Sequence, residues 1–397
     1  MITVEVALER VLAGCKPTTP EMVALPAALD RVLAEDVTAR VAHPPMDVSA
    51  MDGYALRAAE ISQSLTIIGE SAAGRPFDGT IAPGQAVRIF TGAAIPPDAD
   101  TVVMQEDSAR DGAQVTFSVT QPAGKHIRPM GLDFSPGQIM LTVGTVLGPR
   151  QIGLAAAMNV PWLSVRRRPR VAILSTGDEI AMPGEPLGAA QIVSSNGPAL
   201  AALVSVLGGE PVQLGIAKDS RESLSAMVAA AKGCDLLVTS GGASVGDYDI
   251  VQDVLAEHGL KLDFWKIAMR PGKPLMFGAL KHVPVLGLPG NPVSAMVCAY
   301  IFLAPMLRAL QGLPSRDPLV PAVLGGAVRA NDARQEYLRA SLERRADGQL
   351  AATPHSRQDS AVISGLAAAQ ALILRPAHAP EGKPGDAVSV IPLPEGF

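Results

Sequence analysis

From Val171 onward the chain alternates between short apolar runs and helical stretches, and nothing else in it constrains the fold so tightly. Strand-like VAIL, a bare loop STGDE, a helical stretch from Gly197 to Leu207, and strand-like PVQLGI come first. A helical stretch from Glu222 to Lys232, strand-like DLLVTSGG and a helical stretch from Tyr248 to Leu260 follow. Buried strands separated by helices of this length build βα units around a parallel sheet. Ligands of such sheets gather outside the carboxyl ends of the strands. Four loops are expected there: Ser175 to Glu179, Ala217 to Ser220, Thr239 to Asp249, and the MRPGKP turn after FWKIA. They bring Glu179, Asp219 and Asp249 into the same mouth as Arg270 and Lys273. Carboxylates hold a hard cation while Lys and Arg meet an anion, so this mouth suits a magnesium-phosphate ligand.

The stretch CDLLVTSGGASVGDYD, from Cys234 to Asp249, is the sharpest instance. Its apolar run stops at Thr239-Ser240-Gly241-Gly242, where side chains nearly vanish, and Asp249 falls in the first turn of the next helix, where the dipole favours a carboxylate. Strand, glycine loop and helix expose N–H groups to an anion. An ordinary turn accounts equally well for a lone SGG, but two hydroxyls and two carboxylates in one turn favour a phosphorylated ligand with a cation. A second bare loop, Pro289-Gly290-Asn291-Pro292, follows the strand VLGL, with Asn291 as expected N-cap and Pro292 in the first helical position.

A length of 397 residues allows two to three domains, and 48% apolar with 18% charged residues describes a soluble folded chain. The net charge of −5 excludes general nucleic-acid binding. Three scattered cysteines suggest neither a disulfide framework nor a zinc site, and point to reducing cytosol. The N-terminus has the spacing of an amphipathic helix rather than a signal peptide. The uncharged run Val293 to Leu307, broken by Pro305, is read as a buried core helix, so no membrane is expected. Val23 to Val41 is expected as a strand, a helix from Pro26 to Leu33 and a second strand. Residues 43 to 57 form a proline-stiffened loop carrying Asp52, which either caps a turn or serves a site. Leu65 to Val119 contains only strand signals, among them one that ends at Thr91-Gly92, and the following segment carries Asp133. After Leu313 the chain turns β again, with Arg334 and Arg339, and no long tail is expected beyond the last strand.

SAMDGYA (49–55), RIFTGAAIP (88–96), STGDEI (175–180), SSNGP (194–198), TSGGASVGDYD (239–249), MRPGKP (269–274) and GLPGNPVSA (287–295) stand in this order along most of the chain. In them the chain resembles the molybdopterin molybdenumtransferases, the MoeA family, which includes the E domain of gephyrin. The resemblance implies a multidomain α/β and β fold with a doubly wound, mostly parallel molybdopterin-binding domain at 169–315. Around it would stand a small β barrel or sandwich at 42–133, an elongated connecting domain made of 1–41 and 134–168, and an all-β C-terminal domain at 316–397.

The implied activity is insertion of molybdate into adenylylated molybdopterin with Mg2+-dependent loss of AMP, in the cytoplasm. The implied catalytic residues are Asp52, Thr91, Asp133, Glu179, Asp219 and Asp249, with Glu179, Asp219 and Asp249 toward Mg2+. The implied substrate-binding residues are Thr176, Gly177, Ser240, Gly241, Gly242, Ser244, Arg270, Pro271, Gly272, Lys273, Pro289, Gly290, Asn291, Pro292, Arg339 and Ser360. Arg270 and Lys273 would hold molybdate and Arg339 would be an anion ligand. The family commonly has lysine at the position of Arg270, and a glycine where Asp359 stands before Ser360. A homodimer whose pocket is shared between subunits is implied, with the adenylyltransferase and acceptor molybdoenzymes as partners. Two rivals are an adenylyltransferase, whose fold resembles 171–313, and a non-catalytic gephyrin-like scaffold.

Overall fold

Helix α1 (Val4–Ala13) starts at Thr3, whose hydroxyl accepts from the Val6 N–H at 3.4 Å, and buries Val4, Ala7 and Val11. In the computed structural model, which describes residues 1–241 and 250–393, this helix belongs to the larger of two units, Met1–Glu21 with Arg166–Phe397. The other unit is Met22–Val165.

The expected alternation forms the core of the larger unit. Strands β1 (Arg170–Thr176), β2 (Glu210–Ala217), β3 (Leu236–Ser240), β4 (Leu260–Lys266), β5 (Pro274–Leu280) and β6 (Val283–Leu288) make one sheet in the order β2-β1-β3-β6-β5-β4. The first four in that order are parallel, and β5 and β4 are added antiparallel in sequence, which turns β4 back into the parallel direction. The carboxyl ends of β1, β2, β3, β4 and β6 therefore share one edge.

Helices α2 (Asn196–Val206), α3 (Arg221–Ala230) and α4 (Ile250–Glu257) lie between strands. Leu200, Leu203 and Val204 of α2 join one side of the core, and Leu224, Val228, Val251 and Val254 join the other. The expected start of the last of these helices at Tyr248 falls outside the described residues, as do the site residues Gly242, Ser244 and Asp249.

Helix α5 runs from Pro292 to Leu310, and Pro305 does not break it. Ala299–Leu303 takes a π turn, and Pro305 then falls in the first turn of the next α-helical segment, where its missing N–H matters least. This helix is long and apolar enough to cross a membrane, yet 72% of its most apolar window is buried inside the protein, as a core helix would be.

β7 (Val320–Leu324), β8 (Gln335–Arg344), β9 (Leu350–Pro354), β10 (Ala371–Arg375) and β11 (Ala387–Pro392) close into a five-stranded barrel, because β8 pairs with both β9 and β10. The two residues Met269–Arg270 pair in parallel with Gln335–Glu336 of β8, so the MRPGKP turn is tied to the barrel's rim.

The smaller unit contains a six-stranded sheet whose end strands are Thr101–Met104 and Ser108–Asp111, with Gly53–Leu56 in second place. The helix expected at Pro26 to Leu33 is only a 3-10 turn, Leu25–Ala27. Asp30 takes a left-handed backbone (φ 59°), which ends any helix there, and Val32 and Leu33 are drawn into bridges with Val146 and Val165.

Candidate active site at the sheet edge

The loops that follow β1, β2, β3 and β6 enclose one cavity of about 500 Å3. Thr176, Gly177, Glu179, Asp219, Ser240, Gly241, Pro289, Gly290, Asn291 and Pro292 all line it, so ten of the sequence-expected residues converge here. Close approach of the first and third loops requires glycine at 241. Its φ is +95°, and a Cβ there would stand 2.6 Å from the Thr176 carbonyl oxygen. Its N–H also donates to the Leu288 carbonyl at 3.3 Å.

The acidic side of the cavity is built from two loops. The Asp219 N–H donates to Asp178 Oδ1 at 3.1 Å, and the adjacent Ser220 caps α3 by accepting from the Ser223 N–H. Burial raises the Asp219 pKa, and the neighbouring Asp178 and Glu179 carboxylates raise it further. Among the described residues no group of three His, Cys, Asp or Glu side chains is arranged to hold a metal ion by itself.

A second cavity, of about 760 Å3, adjoins the first, sharing Pro274 and Ser294 in its wall. Arg270, Pro271, Gly272, Lys273 and Ser360 line it, together with Arg329, Arg334, Glu336 and His355. Gly272 (φ +108°) lets the turn lie on α5, since a Cβ there would stand 2.4 Å from Cys298 Sγ. The pairing of Met269–Arg270 with Gln335–Glu336 sets Arg270 opposite Glu336, and its guanidinium binds that carboxylate at 2.6 Å and Asp332 at 3.3 Å. Asp332 also holds Arg334 at 2.8 Å, which pushes its pKa down to about 2. Lys273 is exposed, and no partner of its ammonium is found among the described residues.

Arg339 does not line either cavity. It is 1% exposed, and its guanidinium donates to the carbonyls of Val362 (2.8 Å), Arg357 (3.0 Å) and Asp359 (3.0 Å) and to Gln358 Oε1 (3.3 Å). It braces the segment that carries Ser360. Asn291 occupies the N-cap position of α5 but does not cap it; its Nδ2 donates instead to Ser360 Oγ at 3.1 Å, linking the glycine loop to the barrel.

In the smaller unit, Asp52 Oδ1 accepts from the Thr91 N–H at 2.7 Å and the Thr91 hydroxyl at 2.8 Å, and these bonds lower the carboxyl's pKa. Replacing Thr91 with Val keeps the first bond and removes the second, so a carboxyl NMR titration is expected to show the Asp52 pKa rising toward the ordinary aspartate value. Asp133 is exposed, with its N–H on the His43 carbonyl at 2.9 Å.

Asn196, Asp178, Ser294, Glu336 and Asp332 were not among the expected site residues. The first three sit within STGDEI, SSNGP and GLPGNPVSA, where the motif was the only signal. The two carboxylates carried none: a strand pairing sets Glu336 opposite Arg270, and Asp332 reaches Arg270 and Arg334 from the segment before that strand.

A sheet-edge cavity of glycine loops and carboxylates, joined to a cation-lined one at a barrel rim, has the chemistry to take a phosphorylated ligand beside an anion in a multidomain protein. The chain matches the MoeA N-terminal region (domain I and II) over residues 2–159, the probable molybdopterin binding domain over 172–309 and the MoeA C-terminal region (domain IV) over 321–393. A molybdopterin molybdenumtransferase of Nostoc sp. is 42% identical over 304 residues, 74% of this chain and 70% of that one. The one of Haemophilus influenzae is 39% identical over 317 residues, 79% of this chain and 78% of that one. The crystal structure of a molybdopterin biosynthesis MoeA protein from Pyrococcus horikoshii superimposes with a TM-score of 0.88 at 32% identity, covering 100% of each chain. The chain belongs to the MoeA family of molybdopterin molybdenumtransferases.

Proposed function

We propose that this chain inserts molybdate into adenylylated molybdopterin with Mg2+-dependent release of AMP, the closing step of molybdenum cofactor synthesis. The observation that carries this reading is the pair of adjoining cavities, one walled by glycine loops and carboxylates and the other by cations. The nucleotide would lie along Thr176, Gly177, Ser240, Gly241 and Pro289 to Pro292; Gly242 and Ser244 are assigned to the same ligand on their motif alone. The oxyanion would lie on Lys273, Arg270, Pro271, Gly272 and Ser360. Lys273 would set a molybdate oxygen in line with the phosphorus, and Arg270 would orient it through whatever part of its fork Glu336 leaves available. Asp52, Thr91 and Asp133 are assigned to the catalytic set on their motifs alone.

The donor set fits Mg2+. Burial first, and then the neighbouring Asp178 and Glu179 carboxylates, raise the Asp219 pKa, and Mg2+ is held by one or two carboxylates plus substrate phosphates. Glu179, Asp219 and Asp249 would hold it, and when bound it would neutralise charge on the phosphate as AMP leaves. The homodimer and the cytoplasmic location belong to the same proposal. Three free cysteines fit that location, with burial pushing the Cys15 thiol up to about 12 and the Cys298 thiol higher still.

The test is to incubate purified protein with adenylylated molybdopterin, Mg2+ and molybdate and to follow AMP. Release that depends on molybdate supports the reading. Transfer of AMP from MgATP onto molybdopterin without molybdate supports an adenylyltransferase instead.

Metal binding has its own test at Asp219. Folded Asp219 holds its proton more tightly than an unfolded aspartate, so its ionisation costs stability. Its stabilising contribution is present below the ordinary aspartate range and is lost as pH rises through the raised native value. Asp219→Asn is therefore expected to raise Tm in metal-free buffer and to abolish the rise that Mg2+ gives the parent. An equal Mg2+ response in both proteins would remove Asp219 from the metal site.

A further inference from the structure

Asn196 opens α2 and lines the 500 Å3 cavity. Its Nδ2 donates to Ser240 Oγ at 2.7 Å and to the Gly290 carbonyl at 2.7 Å, one bond to the last residue of β3 and one to the loop after β6. The carbonyl can only accept, so the amide orientation is fixed by chemistry and not by convention. Its Oδ1 is then buried without any hydrogen-bond partner among the described residues. A buried acceptor left unpaired costs about 1–3 kcal/mol, and native structures seldom tolerate one without use. Phosphate and molybdate oxygens cannot fill the vacancy, because an acceptor needs an N–H or O–H opposite it. The same cavity has an apolar side made by Ile180, Ile192 and Val193, the last two 59% and 45% exposed. Apolar branched side chains beside one fixed acceptor suit a flat ring that presents an amino group at its edge.

We propose that Asn196 is a specificity-determining residue, whose Oδ1 accepts an N–H from an amino-substituted heterocycle lying against Ile192 and Val193. The proposal rests on the reading that an adenylylated pterin occupies this cavity, and both its ring systems carry such an amino group. Two ligand pairs separate them: AMP against purine riboside monophosphate, which lacks the amino group, and a pterin against its 2-deamino analogue. The parent protein is expected to bind the amino member of one pair about tenfold more tightly. The pair showing this names the ring at Asn196. Asn196→Ala is expected to erase that preference while leaving molybdate affinity unchanged.

Absence of a preference in both pairs for the parent overturns the proposal, and that measurement needs no variant to fold. A variant that keeps the preference, or that weakens both members equally and molybdate with them, reduces Asn196 to a structural brace and also overturns it. Molybdate binding without any binding of AMP or pterin by the parent would instead bring down the nucleotide reading itself.

Discussion

Arg339→Met is expected to lower the stability of the barrel by about 3–5 kcal/mol, seen as a large fall in the urea midpoint of the transition that reports on it. The guanidinium is 1% exposed and supplies the donors for the Val362, Arg357 and Asp359 carbonyls. Methionine keeps most of the apolar stem and supplies none of them, so buried carbonyls lose their partner at about 1–3 kcal/mol apiece, partly recovered by relaxation toward water. Arg339→Lys should recover only part of the loss, because one ammonium cannot span acceptors that a planar fork reaches at once. The same experiment judges the sequence-based expectation that Arg339 is an anion ligand. A methionine variant as stable as its parent, but deficient in oxyanion binding, would restore that role.

This residue shows where the sequence stopped being legible. The alternation from Val171 to Leu260 is a local pattern, so β1 to β4 and the loops between them could be placed from it, and Glu179, Asp219 and Gly241 were correctly brought to one edge. The ends of α2 and α3 fall within two residues of expectation for the same reason, whereas α4 stops at Glu257, three residues short of the expected Leu260, which opens β4. What a charged side chain does there is decided by partners far along the chain. Asn291 has the composition and position of an N-cap, yet a barrel serine takes its amide. Arg270 looks like an anion clamp in MRPGKP, and only the pairing with Gln335–Glu336 reveals the carboxylate across from it. Pro305 looks like a helix stop until a π turn shifts the register ahead of it. Asn196 was visible inside SSNGP, but its unpaired oxygen exists only once the end of β3 and the loop after β6 have taken its nitrogen.

Lys273→Ala is expected to cut molybdate-dependent AMP release about 100-fold while leaving Tm within a degree or two of the parent, since the side chain is exposed. The size of the effect follows from how the other cations of the 760 Å3 cavity are engaged. Arg270 faces Glu336 at 2.6 Å and Asp332 at 3.3 Å, and Arg334 faces Asp332 at 2.8 Å. An oxyanion approaching Arg270 or Arg334 meets those carboxylates too, and their repulsion offsets much of the attraction. Lys273 has no such opponent among the described residues, so an anion gains its full charge. Lys273→Arg should keep most of the oxyanion affinity, and Lys273→Gln should behave like alanine, because charge and not reach is what the site lacks. Raising the salt concentration should weaken molybdate binding to the parent more than to the alanine variant, as screening acts on an interaction the variant no longer makes. Should the alanine variant release AMP at the parent's rate, Arg329 at the same rim becomes the cation to remove next, and the placement of the oxyanion on the MRPGKP turn would have to be abandoned.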